Sequence, residues 1–504
     1  MGKFLYGRGL PLQICITVAC EMAFMLMGYD QGVLSSVLSN TDFLSKIDHP
    51  NDVKLGVIVG SYNLGSFAGA ILTFIFAEKL GRRWCMWVAM MWIVTGAALQ
   101  ASASTRAHFV VGRIICGVGT GIDTSTAPMY QAELSHAKSR GRLVSSECLF
   151  VGVGIVIAYW FNYGMQTVGG PVAWRLVIAF QVVFALLTVI MVFGIPESPR
   201  YLCKMGRKDE ALEVLSAVWN KPTDHPDIVA EQKEILDALA LEMEHGEYKW
   251  AQILRPDPVK TGYRVLLAWG INTMNQLSGI NLVVYFIPTV LQQNVGMTPR
   301  VSQLLGGVVN TMFVIGALFP SFFSDKYGRR QPMMWGCFGL GLCMMMISVL
   351  LSIHSKTASD ATVAFFFLYM LIFGGTVNCI PWVYGPEVIP LHARARGNGL
   401  AISAIWIWNF TVVMITPTII NRLQWKAYLI FMCLNFAFVP IIYFFYPETT
   451  NLTLEEIDWL FTQGHPPRKA AQELKAYKLN HGSSLRLDSN TGVEVMEVGI
   501  EKME

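Results

Sequence analysis

Residues 76–83 read FAEKLGRR, and residues 323–330 read FSDKYGRR. An acid, a basic residue, a glycine and two arginines thus return in the same order in the second half of one chain. Two further signals keep the same distance. Glu133 is followed seven residues later by Arg140, as Glu387 is by Arg394, and the pair Pro196 and Glu197 returns as Pro447 and Glu448. The acid pairs Glu78/Asp325, Glu133/Glu387 and Glu197/Glu448 lie 247, 254 and 251 residues apart. One half-chain period shared by three motifs marks an internal duplication.

The duplicated unit is a set of membrane spans. Of the 504 residues, 53% are hydrophobic and 14% charged, where soluble domains carry roughly 25% charged. Segments long enough to cross a bilayer, about 20 residues each, fall near 11–38, 55–77, 84–104, 107–131, 143–164, 173–195, 262–293, 301–323, 332–353, 361–386, 397–419 and 425–446. The pattern predicts an all-α membrane protein, with twelve transmembrane helices in two pseudo-symmetric six-helix bundles, 1–195 and 262–446. A helical linker, 196–261, has charged and apolar residues interleaved at helical spacing, and a tail covers 447–504. Lys79, Arg82, Arg83, Lys138, Arg140, Arg142, Lys326, Arg329, Arg330, Arg394 and Arg396 fall on one side. The positive-inside rule makes that side cytoplasmic, with both termini and the linker. The opposite loops are sparser in basic residues, although Lys46 and Lys54 soften the contrast.

The first span acts as its own targeting signal. The formal net charge of +3 says little about partners, because the placement of Lys and Arg matters more than their sum, and no nucleic-acid partner is expected. Most cysteines lie in apolar runs without metal-ligand spacing and read as small helix residues. No phosphate loop, zinc cluster or nucleophile triad is present, so the chain reads as neither an enzyme nor the holder of a cofactor or metal. The polar last stretch, 481–504, reads as disordered, and the Asn451-Leu452-Thr453 sequon falls on the cytoplasmic side, where glycosylation is not expected.

Within the first span, residues 22–38 read MAFMLMGYDQGVLSSVL, which puts Asp30 in an apolar run. A charge there costs at least about 2.5–3.5 kcal/mol, so the acid requires a partner, a function, or both. Glu21, Asp123 and Glu147 are three more acids in apolar surroundings. Glu21, half a helical turn out of phase with Asp30, suits a solvated vestibule, while Asp123 and Glu147 are candidate cavity residues and second proton sites. In MNQLSGINLVVY (274–285), Asn275, Gln276 and Asn281 lie within two turns and Gly279 permits unwinding beside a ligand. Neutral amides of this kind suit a polyhydroxylated solute. The GRR loops, with Glu133/Arg140 and Glu387/Arg394, read as a charge network that holds a shape yet can break, or simply as basic loops that fix orientation.

Over residues 10–460 the sequence resembles the sugar porter family of the major facilitator superfamily. The resemblance rests on GYDQGV (28–33), the two GRR loops, GRIICGVGTG (112–121), PMYQAELSHAKSRG (128–141), PESPR (196–200), QLSGINLVVY (276–285), PWVYGPEVIPLHARARG (381–397) and PETTNLTLEEID (447–458). GYDQGV, AYWFNYG (158–164) and NLTLEEIDWLF (451–461) are most similar to fungal members, which include hexose carriers and proton-coupled glycerol carriers. The resemblance implies alternating access, in which two bundles rock about a central site.

It also implies that Asp30 faces Arg113, either as a proton-coupling pair or as a static structural one. Its implied solute residues are Asn275, Gln276, Asn281, Asn310, Trp382 and Trp406, with Asn409 nearby. The implied cytoplasmic gate comprises Glu78, Arg82, Arg83, Glu133, Arg140, Glu197, Arg200, Asp325, Arg329, Arg330, Glu387, Arg394 and Glu448. The chain departs from the family pattern where Cys148, beside Glu147, replaces a glutamine, where Asn275 shortens another, where Ile405 replaces an asparagine, and at GGTVNC (374–379). Those losses of hydrogen-bonding groups leave room for a solute other than glucose. The expected function is secondary transport of a monosaccharide with a proton. The alternatives are a proton-coupled glycerol or polyol symporter, an uncoupled facilitator and a non-transporting sugar sensor. The expected partners are the sugar or polyol, the proton and the lipid bilayer. A monomer in the plasma membrane suffices, since each chain holds a complete pathway.

Overall fold

A computed structural model describes residues 5–38, 40–135, 137–244, 252–253, 255–450, 452, 454–462, 466–472 and 474. The side chains at 36, 74, 78, 137–142, 144–145, 238, 241–244, 323–327, 391, 395 and 454–455 fall outside that description. Glu78, Arg140 and Asp325 of the expected gate are therefore outside the described side chains. The sequon residues Asn451 and Thr453 and the stretch 481–504 are outside the described residues.

The first set of helices is α1 (Leu10–Val37), a short α2 (Thr41–Lys46), α3 (Asp52–Leu80), α4 (Arg82–Ala101), α5 (Arg106–Glu133), α6 (Ala137–Met165) and α7 (Gly170–Gly194). The connecting region holds α8 (Pro199–Lys204), α9 (Lys208–Trp219) and α10 (Pro226–Glu244). The second set is α11 (Thr261–Asn275), α12 (Asn281–Gln293), α13 (Pro299–Tyr327), α14 (Arg330–Ser352), α15 (Lys356–Gly375), α16 (Ile380–Val388), α17 (Arg394–Leu423) and α18 (Ala427–Phe445), followed by α19 (Leu454–Thr462).

Two spans of the second set are interrupted. A π turn at Gln276–Ile280, with Gly279 at φ +104°, joins α11 to α12, and residues 376–379 separate α15 from α16. Among the described residues, ten stretches are long and apolar enough to cross a membrane, and one of them, 396–445, holds both α17 and α18. The remaining span, fourth in chain order, is α5, whose glycines, serines and threonines, together with Arg113 and Asp123, dilute its hydropathy. The expected twelve-helix architecture is thus the one observed.

Local chemistry starts these helices where the sequence allows. Asn51 and Thr105 accept from the backbone N–H of Lys54 at 3.0 Å and His108 at 3.3 Å, capping α3 and α5. Between α3 and α4 the chain turns at Gly81, φ +86°, and between α13 and α14 at Gly328, φ +82°. Both are backbone states that a side chain resists. These two turns lie at one end of the molecule, called here the basic face.

Packing between the two sets runs through α3 against α17, α6 against α13 and α1 against α12. At the α3/α17 crossing an added Cβ on Gly56 would stand 2.1 Å from the Met414 carbonyl oxygen, so the two backbones nearly touch. Asn63 donates to Asn409 Oδ1 at 2.9 Å, Asn421 to Asp52 Oδ1 at 2.7 Å, and Tyr159 Oη to the Val284 carbonyl at 2.6 Å. These contacts lie toward the end remote from Gly81 and Gly328. Nearer the basic face, Phe24 and Trp382 meet edge to face at 5.7 Å, and Asn378 Nδ2 donates to the Cys148 carbonyl at 3.4 Å. Among the described residues, the closest contacts between the two sets thus lie on the face away from the GRR turns.

The connecting helices belong with the first set. Ala211, Val214, Leu215 and Val218 give α9 a buried stripe. Its end receives hydrogen bonds from Gly9 N, to Ala217 O, and Gln13 Nε2, to Val218 O, both at 2.7 Å. On the second set, α19 is held by Arg264, which pairs with Asp458 at 2.6 Å, donates to the Val388 carbonyl at 2.5 Å and lies 4.8 Å from the Phe461 ring centroid.

Candidate functional site

At the basic face the two halves build the same network from matching residues. In the first half, Arg82 meets Glu133 at 3.0 Å, and Ser198 Oγ donates to the same carboxylate. The backbone N–H groups of Arg82 and Arg83 donate to Glu197 at 3.0–3.3 Å, and Arg83 Nη2 reaches the Phe193 carbonyl at 2.6 Å. In the second half, Arg329 meets Glu387 at 3.2 Å and Thr449 Oγ1 donates to that carboxylate at 2.6 Å. Arg329 N and Arg330 N donate to Glu448 at 2.8 and 3.1 Å, and Arg330 Nη2 reaches the Tyr443 carbonyl at 2.7 Å. Tyr130 and Tyr384 add matching bonds to the carbonyls of Pro196 and Pro447, at 2.5 and 3.2 Å.

Each glutamate of the Pro-Glu pairs thus caps the amides that follow a left-handed glycine. Burial holds Glu197 above the ordinary glutamate range, against the pull of the Ser198, Arg83 and Arg82 amides and the Arg82 charge. Arg394 reaches the Ile389 carbonyl at 3.5 Å, and Arg200 opens α8. Ser198 and Thr449 were not singled out from sequence. Their signal was available, since they follow the two aligned Pro-Glu pairs.

Deeper in the first half, Asp30 and Arg113 are 1% and 0% exposed and joined at 2.8 Å. Among the described residues the bond is single: Asp30 Oδ1 and Arg113 Nε have no hydrogen-bond partner. Arg113 also donates to the Val59 carbonyl at 3.3 Å and sits 4.5 Å from the centroid of the Tyr62 ring. An acid on α1 is therefore linked, through an arginine on α5, to α3.

In the second half three amides form a chain. Asn281 donates to Gln276 at 2.7 Å, Gln276 to Asn275 at 2.8 Å, and Asn275 to the Val377 carbonyl at 3.0 Å. Both interrupted spans meet there, because Val377 lies in the break between α15 and α16. The chain is buried, and the π turn with its Gly279 kink sets the angle between Gln276 and Asn281.

The other solute candidates divide. Asn310 turns back to the Gly306 carbonyl of its own helix at 2.8 Å. Asn409 stands apart from the amide chain, paired with Asn63 across the α3/α17 crossing. Trp406 is fully buried with no partner for its Nε1. Trp382 is partly buried against Phe24. The backbone of Cys148 receives Asn378 from the opposite half, and Glu147 is buried beside it. Asn63 and Asn378 were missed in the sequence; an amide within an apolar helix, as in SYNLGS (61–66), is the signal that would have found the first.

The family model described as "Sugar (and other) transporter" matches residues 15–461. The chain belongs to this family. A relative named "MFS-type transporter oryC" from Aspergillus oryzae is 38% identical over 89% of this chain and 85% of its own length. The "Sugar transporter STL1" of Saccharomyces cerevisiae is 30% identical over 94% of this chain and 86% of its own. Among solved structures, the proton:xylose symporter XylE bound to 6-bromo-6-deoxy-D-glucose superposes with a TM-score of 0.75 at 24% identity, covering 89% of this chain and 99% of that one. A partially occluded inward-open form of XylE from E. coli gives 0.74 at 22%, over 88% and 99%. Those two likenesses establish the major facilitator fold. This sugar transporter family member is a multi-pass membrane carrier and not an enzyme, as its sequence leads one to expect.

Proposed function

We propose that this protein carries a small polyhydroxylated solute, a monosaccharide or a polyol, together with a proton, by alternating access across the plasma membrane as a monomer. The basic face and both termini lie in the cytoplasm, so the conformation described is closed to the outside. The observation that carries the reading is the buried Asp30/Arg113 pair, held by one hydrogen bond and leaving Asp30 Oδ1 free to take a proton.

Protonation cancels the charge that holds Arg113. The arginine then settles on the Val59 carbonyl and the Tyr62 face, both on α3, one turn from Asn63 and its bond to Asn409. Proton entry is thereby felt at the α3/α17 crossing, where the halves close. The solute is held by the amides Asn275, Gln276 and Asn281, with Trp406, Trp382 and Asn310 around them, and the mirrored networks of the basic face, with Arg200 and Arg394 beside them, serve as latches. Cys148 and Ile405, where the family carries amides, leave room for a solute other than glucose, another monosaccharide or a polyol.

The test is solute-driven alkalinisation of the medium around transporter-null yeast expressing this chain, across hexoses, pentoses, glycerol and other polyols. One solute should drive proton uptake, and Asp30→Asn should abolish that uptake while labelled solute still equilibrates. Uptake of solute without proton movement in the wild type would make Asp30 a static partner and the protein a facilitator.

A further inference from the structure

Glu147 has no role in the coupling pair and no polar contact with the amide chain. It lies on α6, 1% exposed, and among the described residues neither of its carboxylate oxygens has a hydrogen-bond partner. The geometry around it is fixed by neighbours. Cys20 of α1 donates to the Ala127 carbonyl of α5 at 3.6 Å, and the next residue, Glu21, accepts from Ser146 at 3.0 Å. Asp123, one turn before Ala127, is also 1% exposed, with Oδ1 unpartnered. Three helices thus bring Glu21, Asp123 and Glu147 to one place, with Cys20 in the field of all three acids.

Among the described residues, the charges acting on Glu147 are those of Glu21 and Asp123. Cys20 and Cys148 are the thiols on α1 and α6 nearest to it in sequence, and the facing segment of the second half contributes Asn378 and Cys379. Lys138, Arg140 and Arg142, earlier on α6, lie outside the described side chains. Among the described residues no three His, Cys, Asp or Glu side chains are arranged to hold a metal ion.

An ionised carboxylate buried without a counter-charge costs several kcal/mol even after relaxation, and two like charges beside it add to that. The least expensive occupant of such a site is a proton. We propose that Glu147, backed by Asp123 and Glu21, is a second proton-binding site, separate from Asp30, that carries one additional proton per transport cycle. It is loaded in the conformation described, where Asn378 meets the Cys148 backbone and Trp382 meets Phe24 over the same end of α6 and α1. When those contacts change as the halves rock, water reaches α6 and the proton leaves.

The inference rests on the transport reading for its role in the cycle, but its protonation is measurable without any solute. Infrared difference spectra of the full-length protein in lipid nanodiscs should show the C=O stretch of a buried protonated carboxyl, downshifted in heavy water. Glu147→Gln should lose that band and Asp30→Asn should keep it; a band that survives Glu147→Gln, or is absent from the wild type, overturns the proposal. Should Glu147→Gln fail to fold, a hydrophobic carbodiimide, which adds to protonated carboxyls in apolar sites, is applied to the wild type and mapped by peptide mass spectrometry. An adduct on Glu147 supports the site and its absence overturns it. In proteoliposomes with a transported solute, the proton-to-solute ratio should fall by one in Glu147→Gln, and an unchanged ratio overturns the transport role. If no solute moves in the wild type, the proposed function fails, while the infrared result still decides whether Glu147 holds a proton.

Discussion

Gly81 shows how much one missing side chain can govern. Its φ of +86° is accompanied by a close carboxylate, since an added Cβ would stand 2.6 Å from Glu197 Oε2; Gly328 repeats both facts with Glu448, again at 2.6 Å. Gly81→Ala therefore incurs backbone strain of about 1–3 kcal/mol and displaces the glutamate that caps Arg82 and Arg83. The expected result is a lower melting temperature in detergent and faster trypsin cleavage near the turn. An unchanged melting temperature would mean that the cap contributes little to stability. At this scale the sequence is legible for charged residues, because their recurrence at a half-chain spacing needs no structure to be seen. It is less legible for Ser198 and Thr449, small hydroxyls whose importance comes only from the carboxylates folded against them. Asn378 is harder still, since its partner is a backbone carbonyl 230 residues away in sequence.

Among the elements, the helices were readable because apolar length is a direct physical requirement of the bilayer. The fourth span, α5, is the informative exception. Its small and polar residues weaken the hydropathy signal, and the motif around Arg113, with the run of buried glycines and threonines, marks it instead. The breaks in the seventh and tenth spans were only half legible. Gly279 signals unwinding, yet nothing local says that Val377 will receive Asn275. The docking of α19 is not readable from its own residues, because it depends on Arg264 at the start of α11. Arg264→Ala removes the Asp458 pair and the bond to Val388 at once. Charged hydrogen bonds of this sort contribute about 1.5–3 kcal/mol, and the partial exposure of Asp458, 40%, puts the effect at the lower end. Limited proteolysis should then cut between α18 and α19 earlier than in the wild type. Equal digestion rates would show that α19 is held by its apolar face alone.

For the whole molecule, the question is which conformation the contacts favour. Asn63 and Asn409 join the halves by one buried hydrogen bond, and such bonds average about 0.6–1 kcal/mol in membrane and general settings. Asn63→Ala should therefore shift the population about three- to fivefold away from the conformation described, as read from spin-label distances across the face remote from the GRR turns. Gly56→Val goes further, because its side chain cannot fit beside the Met414 carbonyl. That variant should fold, hold the remote face open and lose transport; transport at the wild-type rate would show that the α3/α17 crossing does not close in the cycle.

If the amides of the second half hold the solute as proposed, they have a bearing on appetite and pace. Asn281, Gln276 and Asn275 are already bonded to one another and to Val377 before any guest arrives. Each hydroxyl that enters exchanges one neutral hydrogen bond for another, for a net gain of about 1 kcal/mol at most. Three or four such exchanges amount to roughly 4 kcal/mol, the scale of a millimolar dissociation constant. On the proposed reading such a well is shallow: the carrier would grip its cargo loosely, let it go quickly on the far side, and work best where the nutrient is plentiful.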